Sequence, residues 1–277
     1  MKKKIAIGIV VIIISGLFCY YQNNDIKITN IDFKDDKISK EIDGYKILQI
    51  SDLHNKEFGK DNKKLVKLTK EIKPDIIVIT GDIIDSRRTN TDVVIRYINQ
   101  IKTVAPIYYS PGNHESRISE YQDFENRLAK QGVNILNDKS ESIKINNDSI
   151  DLIGVRDISF IQKENRKEEL SNIINNLKNK DDSKLSILLS HRPDLIDLYA
   201  KENIDLVFSG HAHGGQVRLP FIGGILAPDQ GLFPKYTSGI YNKDNTHMIV
   251  SRGLGNSLFP LRVFNKPELV VTTLKSK

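Results

Sequence analysis

An α/β fold of stacked, mixed β-sheets with helices outside is what this sequence predicts, and three observations carry it. Apolar residues make up 39% and charged residues 27% of 277 positions, the composition of a folded chain with room for one large α/β domain or two small ones. Strand-like and helix-like segments alternate through the first half, the rhythm of βα units. Several apolar runs, such as "DIIVIT" and "KLSILLS", lack polar alternation, as strands covered on both faces do.

The amino end departs from this pattern. "MKKK", residues 1–4, is followed by the uncharged run "IAIGIVVIIISGLFCYY", residues 5–21, and then by "QNND". The run reads as a transmembrane anchor, although it overlaps the length of a signal-peptide core. No pair of small residues stands at the usual cleavage positions after Gly16, and Phe18 directly before Cys19 argues against lipoprotein-type processing. An uncleaved, single-pass anchor is therefore expected. The leading lysines put the amino end in the cytoplasm and the remainder outside the cell membrane, with Lys27, Lys34, Lys37 and Lys40 softening the asymmetry. A buried core helix fits poorly, because the run has no amphipathic face.

Residues 22–43 read as spacer plus one edge strand, carried by Ile26, Ile28, Ile31 and Phe33. A domain over 44–277 follows. "YKILQI", "DIIVIT" and "PIYYS" are strands. "KDNKKLVKLTKEIK", with Leu65, Leu68 and Ile72 on one face, "TDVVIRYINQIK" and "SEYQDFENRLAKQG" are helices, the last ending at a glycine cap. "VNIL", "SIKI" and "IDLIGV" read as strands, "KENRKEELSNIINNLKNK" as a charged helix, and "KLSILLS" and "IDLVFSG" as strands around a short helix near "PDLIDLYA". The last third contributes "THMIVS", "LRVF" and "ELVVTTL" as strands. No internal repeat or low-complexity tract is evident.

Charge and cysteine content narrow the chemistry. The net charge is +6, but half of that excess sits in the leading lysines, and no basic cluster is interleaved with aromatics, a weak case for nucleic acid as a partner. Cys19 is the single cysteine, which excludes an internal disulfide and thiolate metal sites. Any metal must be held by imidazole and oxygen.

The histidines supply the sharpest signal. His54, His114, His191, His211 and His213 each follow a strand-like apolar run, whereas His247 begins one. "YKILQI" leads into Asp52 and His54, "DIIVIT" into Asp82, "PIYYS" into Asn113 and His114, "KLSILLS" into His191, and "IDLVFSG" into His211 and His213. Ligands of open α/β sheets gather at the carboxyl ends of strands, so one shared site explains the repeated placement better than unrelated turn histidines do. Glycines 81, 112, 210, 214 and 215 fit tight turns around such a site. Imidazoles, carboxylates and an amide oxygen without thiolate suit divalent transition metals. The candidate ligands exceed one tetrahedral shell and suffice for two metals bridged by a carboxylate, the arrangement that clamps a phosphoryl displacement at about 3.5 to 4 Å metal separation.

In order, "SDLH", "GDIID", "GNHE", "SH" and "GHAH" resemble the motif blocks of the calcineurin-like metallophosphoesterases, over roughly residues 44–275. The resemblance implies a four-layer α-β-β-α sandwich of two mixed sheets flanked by helices. It implies that Asp52, His54 and His213 bind one metal, that Asn113, His191 and His211 bind the other, and that Asp82 bridges them. His114 is then not a ligand: it hydrogen-bonds the phosphate and protonates the leaving oxygen, with Asp85 as its partner carboxylate. The implied cofactors are two divalent ions, drawn from manganese, iron, zinc or nickel, and the implied reaction is in-line attack on phosphorus by a hydroxide held between them.

Ser86 stands where the protein phosphatase branch of that family has an arginine, followed by Arg87 and Arg88, which argues against phosphoprotein hydrolysis. The runs "GHAHGGQVRLPFIGGILAPDQGLFPKYTSG" and "SRGLGNS" look like the membrane-anchored branch that includes phosphodiesterases related to lipid A precursor processing. A phosphodiesterase or pyrophosphatase acting on a membrane or cell-envelope phosphoester, such as a lipid-linked one, is expected. A broad phosphomonoesterase, a nuclease with the same centre and a tethered non-catalytic binding protein are the alternatives, and no protein partner is implied. Residues 220–233, with Phe221, Ile222, Ile225, Leu226 and Leu232, read as a loop packed over the sheet, or else as one that rests on lipid. Tyr236, Arg252 and Arg262 are candidates to reach substrate that exposure alone does not commend.

Overall fold

The computed structural model describes residues 2–162, 164–256 and 260–277. Met1 of the basic end, Lys163 of the expected charged helix and Ser257 of "SRGLGNS" lie outside the described residues.

Helix α1 (Lys2–Asn24) carries the apolar run and continues past it. It is long and apolar enough to cross a membrane by length and composition, and its side chains from Ile5 to Leu17 are exposed. Gln22 and Asn23 are instead buried against the domain. Strand β1 (Lys27–Asp35) starts almost at once, so only Asp25 and Ile26 separate helix from sheet.

The first sheet has the order β1-β16-β2-β3-β4-β5. Its parallel centre is β2 (Lys46–Ile50), β3 (Ile76–Thr80), β4 (Ile107–Ser110) and β5 (Val133–Ile135). The carboxyl-terminal strand β16 (Glu268–Ser276) runs antiparallel to β2, and β1 pairs parallel with it as the edge. The second sheet has the order β14-β15-β9-β8-β7-β6. In it β7 (Asp148–Gly154), β8 (Leu185–Leu189), β9 (Leu206–Ser209) and β15 (Thr246–Val250) are parallel. The antiparallel edges are β6 (Lys139–Ile145) and β14 (Gly239–Lys243).

Side-chain alternation along these strands builds two faces at once. In β3, Ile77 and Ile79 join the helix-side core while Ile76 and Val78 join the core between the sheets; Phe208 and Val207 of β9 divide in the same way. Helices α2 (Lys63–Ile72), α3 (Thr91–Ile101) and α4 (Tyr121–Lys130) cover the first sheet, with Leu65, Val94, Tyr97, Ile98 and Phe124 buried. Helices α5 (Arg166–Leu177) and α6 (Ile196–Lys201) cover the second through Leu170, Ile174, Ile196 and Tyr199. The result is the expected four-layer sandwich. The expected glycine cap after α4 is present: Gly132 has φ 85°.

Three expectations need correction. "LRVF" is not a strand, because only Val263 forms an isolated bridge, to Val217. Strand β14 has no counterpart in the sequence reading; its burial is irregular and only Ile240 and Tyr241 lend it apolar character. The segment from Pro220 to Phe233 is packed over the sheet only in part, through Ala227, which is buried in the core of the second sheet. It contributes to two small hairpins, β10 (Arg218–Leu219) with β11 (Gly223–Gly224) and β12 (Leu226–Ala227) with β13 (Gly231–Leu232), which leave Phe221, Ile222, Leu226, Leu232 and Phe233 exposed.

Candidate metal centre

The loops after β2, β3 and β4 of one sheet and after β8 and β9 of the other meet at a single edge. They carry Asp52 and His54, Asp82, Asn113 and His114, His191, and His211 and His213, so both sheets contribute. Five of these residues adopt left-handed backbone: Asp52 (φ 51°), His54 (49°), Asp82 (50°), His211 (65°) and His213 (47°). Asp and His tolerate that region better than most residues, and its clustering marks functional sites. Cross-loop bonds hold it: Asp52 N donates to Gly81 O at 3.0 Å, His54 N to Asp82 O at 3.1 Å, and Gly210 N to His191 O at 3.0 Å. Gly210 answers to close approach, since a Cβ there would strike the Ser51 and Asp52 side chains.

Two sets of donor atoms converge. In one, His54 Nε2 and His213 Nε2 are 3.2 Å apart and His213 Nε2 lies 3.4 Å from Asp52 Oδ1. In the other, His191 Nε2 is 3.2 Å from both Asp82 Oδ2 and His211 Nδ1. Asp82 Oδ2 is also 3.8 Å from His54 Nε2, which puts this carboxylate between the sets. Asn113 Oδ1 and His54 Nδ1 are buried without a hydrogen-bond partner among the described residues. An orphaned amide oxygen beside converging imidazoles is what a cation would satisfy, so the residues fit a pair of divalent ions.

Ring orientation agrees with that fit, and charge divides: burial works against a His191 cation, but Asp82, Asp52 and Asp157 outweigh it and push the ring up to about 10, a proton that a bound metal ion would displace. His191 Nδ1 donates to Thr80 O at 2.7 Å and His211 Nε2 to Asp229 Oδ2 at 2.7 Å, leaving the opposite nitrogen of each ring directed into the site. Burial pushes His54 down to about 3 and His213 well below the usual histidine range, so both rings are neutral. Burial works against the Asp82 carboxylate, but His191, His54 and His114 outweigh it and hold the group well below its ordinary value. Burial pushes Asp52 up, although Ser51 Oγ donates to its Oδ2 at 2.6 Å and His211 N to its Oδ1 at 3.1 Å.

His114 enters the same space with Nε2 4.0 Å from Asp82 Oδ2. Its Nδ1 accepts from Ser86 N at 3.0 Å, with Ser86 Oγ at 3.1 Å. An amide N–H only donates, so Nδ1 carries a lone pair and the proton sits on Nε2, facing the site. Asp85 Oδ1 is 3.4 Å from Nδ1 and is taken up by Arg87, whose N and Nε donate to it at 3.0 and 3.1 Å. The nearest partner of the His114 ring is thus Ser86.

Several residues support the site in roles that the sequence did not assign them. Glu115, the last letter of "GNHE", accepts from the backbone N–H groups of Asp82, Ile83 and Gly112 at 2.9, 2.8 and 2.8 Å, tying the β3 and β4 loops together. Asp229, a lone acid in an apolar stretch, orients His211. Arg262 does not reach out to substrate: it is 1% exposed, donates to Gly255 O and Arg252 O, and lies with Nη2 3.5 Å from His213 Nδ1. Asn265 Nδ2 donates to His213 O at 2.7 Å.

A cavity of about 200 Å³ opens over Asp82, Asn113, His114, His211 and His213, with Arg117 at its wall. A neighbouring cavity of about 690 Å³ runs from His54 past Lys56, Arg87 and Arg88 to Asn256 and Pro260.

Comparison with known proteins agrees with this geometry. The sequence pattern of the family described as Calcineurin-like phosphoesterase matches residues 45–215. The uncharacterised metallophosphoesterase YkuE of Bacillus subtilis is 32% identical over 265 residues, covering 94% of this chain and 90% of the relative. Phosphodiesterase YaeI of Escherichia coli is 26% identical over 235 residues, covering 83% of this chain and 82% of the relative. A transmembrane protein with metallophosphoesterase domain from Danio rerio is 23% identical over 260 residues, 90% of this chain and 57% of that one. Among solved structures, the phosphopantetheinyl hydrolase of Mycobacterium tuberculosis has a TM-score of 0.51 over 77% of this chain and 91% of that one, at 13% identity, a likeness of fold alone.

Proposed function

Because the chain belongs to the calcineurin-like phosphoesterase family, a family of metal-dependent phosphohydrolases that use two divalent ions, we propose that it is a membrane-tethered phosphodiesterase or pyrophosphatase acting on a lipid-type phosphoester of the membrane or cell envelope. The observation that carries the reaction class is the convergence of two donor sets on Asp82. Asp52, His54 and His213 would hold one ion and Asn113, His191 and His211 the other, with Asp82 between the two sets. When bound, such ions neutralise phosphoryl charge and make hydroxide available at neutral pH. The protein's own part is to orient the ester. His114 Nε2–H donates a hydrogen bond to the phosphoryl or leaving oxygen, its ring fixed by Ser86 N, while Asp85 Oδ1, 3.4 Å from Nδ1, would accept a hydrogen bond from the doubly protonated ring.

Arg87 and Arg88 in the larger cavity support a substrate with anionic groups beyond the phosphorus under attack. That cavity ends at Asn256, whose Nδ2 donates to Asn23 Oδ1 of α1 at 3.1 Å, which supports a substrate held at the membrane. α1 acts as a single-pass anchor, with residues 1–4 on the cytoplasmic side and the catalytic domain outside. The donor set accepts manganese, iron, zinc or nickel.

The test uses the full chain in detergent, loaded with manganese, against bis-p-nitrophenyl phosphate, p-nitrophenyl phosphate and lipid-linked diphosphates. Turnover of diesters and diphosphates above the monoester is expected. Asp82→Asn should lower it by about 10²-fold or more together with metal content, and His114→Ala by about 10²- to 10⁴-fold with metal content retained. Unchanged turnover in either variant would overturn its assigned role.

A further inference from the structure

We infer that the catalytic mouth is seated on the lipid bilayer by a second contact, in which Phe264, Phe221 and Phe233, with Ile222 and Leu232, enter the interface beside α1. This rests on the reading of α1 as the anchor and adds a surface which that reading does not require.

The depth of Phe264 is the first argument. Its ring meets Phe18 of α1 edge-on at 5.4 Å between centroids. Tyr20 and Tyr21, both exposed on α1, are the kind of aromatic pair that lies at headgroup level. Phe18 lies two and three residues to the membrane side of them, about 3 to 4.5 Å deeper at the rise of an α-helix. A domain side chain in contact with Phe18 is therefore at the edge of the hydrocarbon when α1 spans the bilayer. The domain has little freedom to pull away, because Asn23 Oδ1 accepts from Arg262 N at 3.0 Å and Lys56 Nζ donates to Asn23 O.

The rest of the surface is continuous with Phe264. Val263 bridges Val217, and Arg218 N donates to Val263 O at 3.0 Å. That fixes the β10–β11 hairpin alongside, with Phe221 fully exposed at its turn and Ile222 next to it. Phe233 N donates to Ile225 O at 2.8 Å, which closes the second hairpin, and Ile225 N donates to Val217 O at 2.9 Å, which holds it beside the first. Phe221, Phe233 and Phe264 all sit at positive φ, 67°, 54° and 51°. Bulky aromatic residues rarely occupy that region, and all three rings stay largely exposed, so that apart from the contact of Phe264 with Phe18 the strain has little return in protein packing. Removal of those rings from water by lipid supplies one. Cations flank the helix exit at headgroup level: Lys266 Nζ lies 4.0 Å over the Tyr21 ring and Lys64 Nζ donates to Asn24 O at 2.8 Å.

The surface frames the active site. The second hairpin carries Asp229, which binds His211, and both hairpins follow directly on His213. A phosphoester at headgroup depth would meet the metal centre without leaving the membrane.

The sequence has no tryptophan, so single-tryptophan variants of the full chain report depth. Phe221→Trp, Phe264→Trp, Tyr20→Trp as anchor marker, and Asn147→Trp in the β6–β7 turn at the opposite edge, are reconstituted in phosphatidylethanolamine and phosphatidylglycerol vesicles. Part of the lipid is brominated near the headgroup end of its chains. Quenching of the 221 and 264 variants comparable to the Tyr20→Trp variant, with Asn147→Trp open to aqueous iodide and untouched by bromolipid, is the expected result. Bromolipid quenching at position 20 with 221 and 264 open to iodide would overturn the second contact and leave the anchor standing. Loss of quenching at position 20 as well would overturn both. The readout does not depend on turnover, so a failure of the hydrolytic reading is seen separately, in the diester assay on the parent chain.

Discussion

Asp229 shows how much of a candidate metal centre rests on residues outside its two donor sets. Its carboxylate accepts from His211 Nε2 and from Arg192 Nη1, and those two partners hold it well below the ordinary carboxylate range. Removing the acid frees the His211 ring to turn and to exchange its tautomer. Asp229→Ala should therefore cost about 10- to 100-fold in metal affinity or turnover while the melting temperature of the chelated protein stays close to the parent's, since Asp229 is half exposed. Equal metal affinity would remove it from the site. Glu115 behaves in the opposite way: Glu115→Ala leaves buried N–H groups of Asp82, Ile83 and Gly112 unpaired, at about 1 to 3 kcal/mol for each group left bare, and should lower stability before metal content changes. The direct donors were legible in the sequence because each follows an apolar run. Asp229 and Arg262 were not, because what they touch is decided by loops folding back across the site.

At the scale of elements, Arg192 after β8 joins two neighbours that the sequence keeps far apart. Its Nε donates to Asp157 Oδ2 at 2.7 Å in the loop after β7, and its Nη1 to Asp229 beyond β12. Asp157 is almost wholly buried. Burial alone would raise its pKa, but Arg192 outweighs burial and the group lies below its ordinary value. Arg192→Ala strands a buried carboxylate, and about 3 to 5 kcal/mol of stability should be lost. Because the folded pKa is the depressed one, the pair's contribution is complete above the unfolded pKa of about 3.9 and is lost as pH falls through the folded value. The gap in melting temperature between parent and Arg192→Ala should therefore be full at neutral pH and close below roughly pH 4. A gap independent of pH would point to packing instead. The long strands and helices were legible because their periodicity runs for a turn or more of structure. The hairpins between Arg218 and Leu232 were not, because two-residue strands carry no period and their apolar residues face outward.

For the whole molecule, the two-sheet architecture was written in runs such as "DIIVIT", where every residue from Ile76 to Thr80 is buried because one face meets helices and the other meets the second sheet. The sequence did not show that the donor side chains arrive from both sheets, nor that these residues themselves, rather than glycines alone, carry the left-handed backbone. Those features make the centre a junction between halves of the fold, and they set what metal removal should do. Left-handed backbone at Asp52, His54, Asp82, His211 and His213 stores on the order of 1 to 3 kcal/mol at each position, and two buried carboxylates face one site. Ions that bind only the folded chain add about 2.7 kcal/mol per site at a hundredfold excess over Kd. Two sites then give about 5 kcal/mol, which for a chain of this size corresponds to roughly 10 to 20 °C in melting temperature. Chelation should lower the melting point of the parent by that amount, and restoring manganese should reverse it. Asp82→Asn, which weakens both sets at once, should keep less than half of the shift, whereas Asn113→Ala, which removes a donor from one set, should keep about half or more. A melting point indifferent to chelation in protein shown to have lost its metal would mean that the two sheets hold the centre unaided, and that the strain at these five residues is met by the cross-loop hydrogen bonds alone.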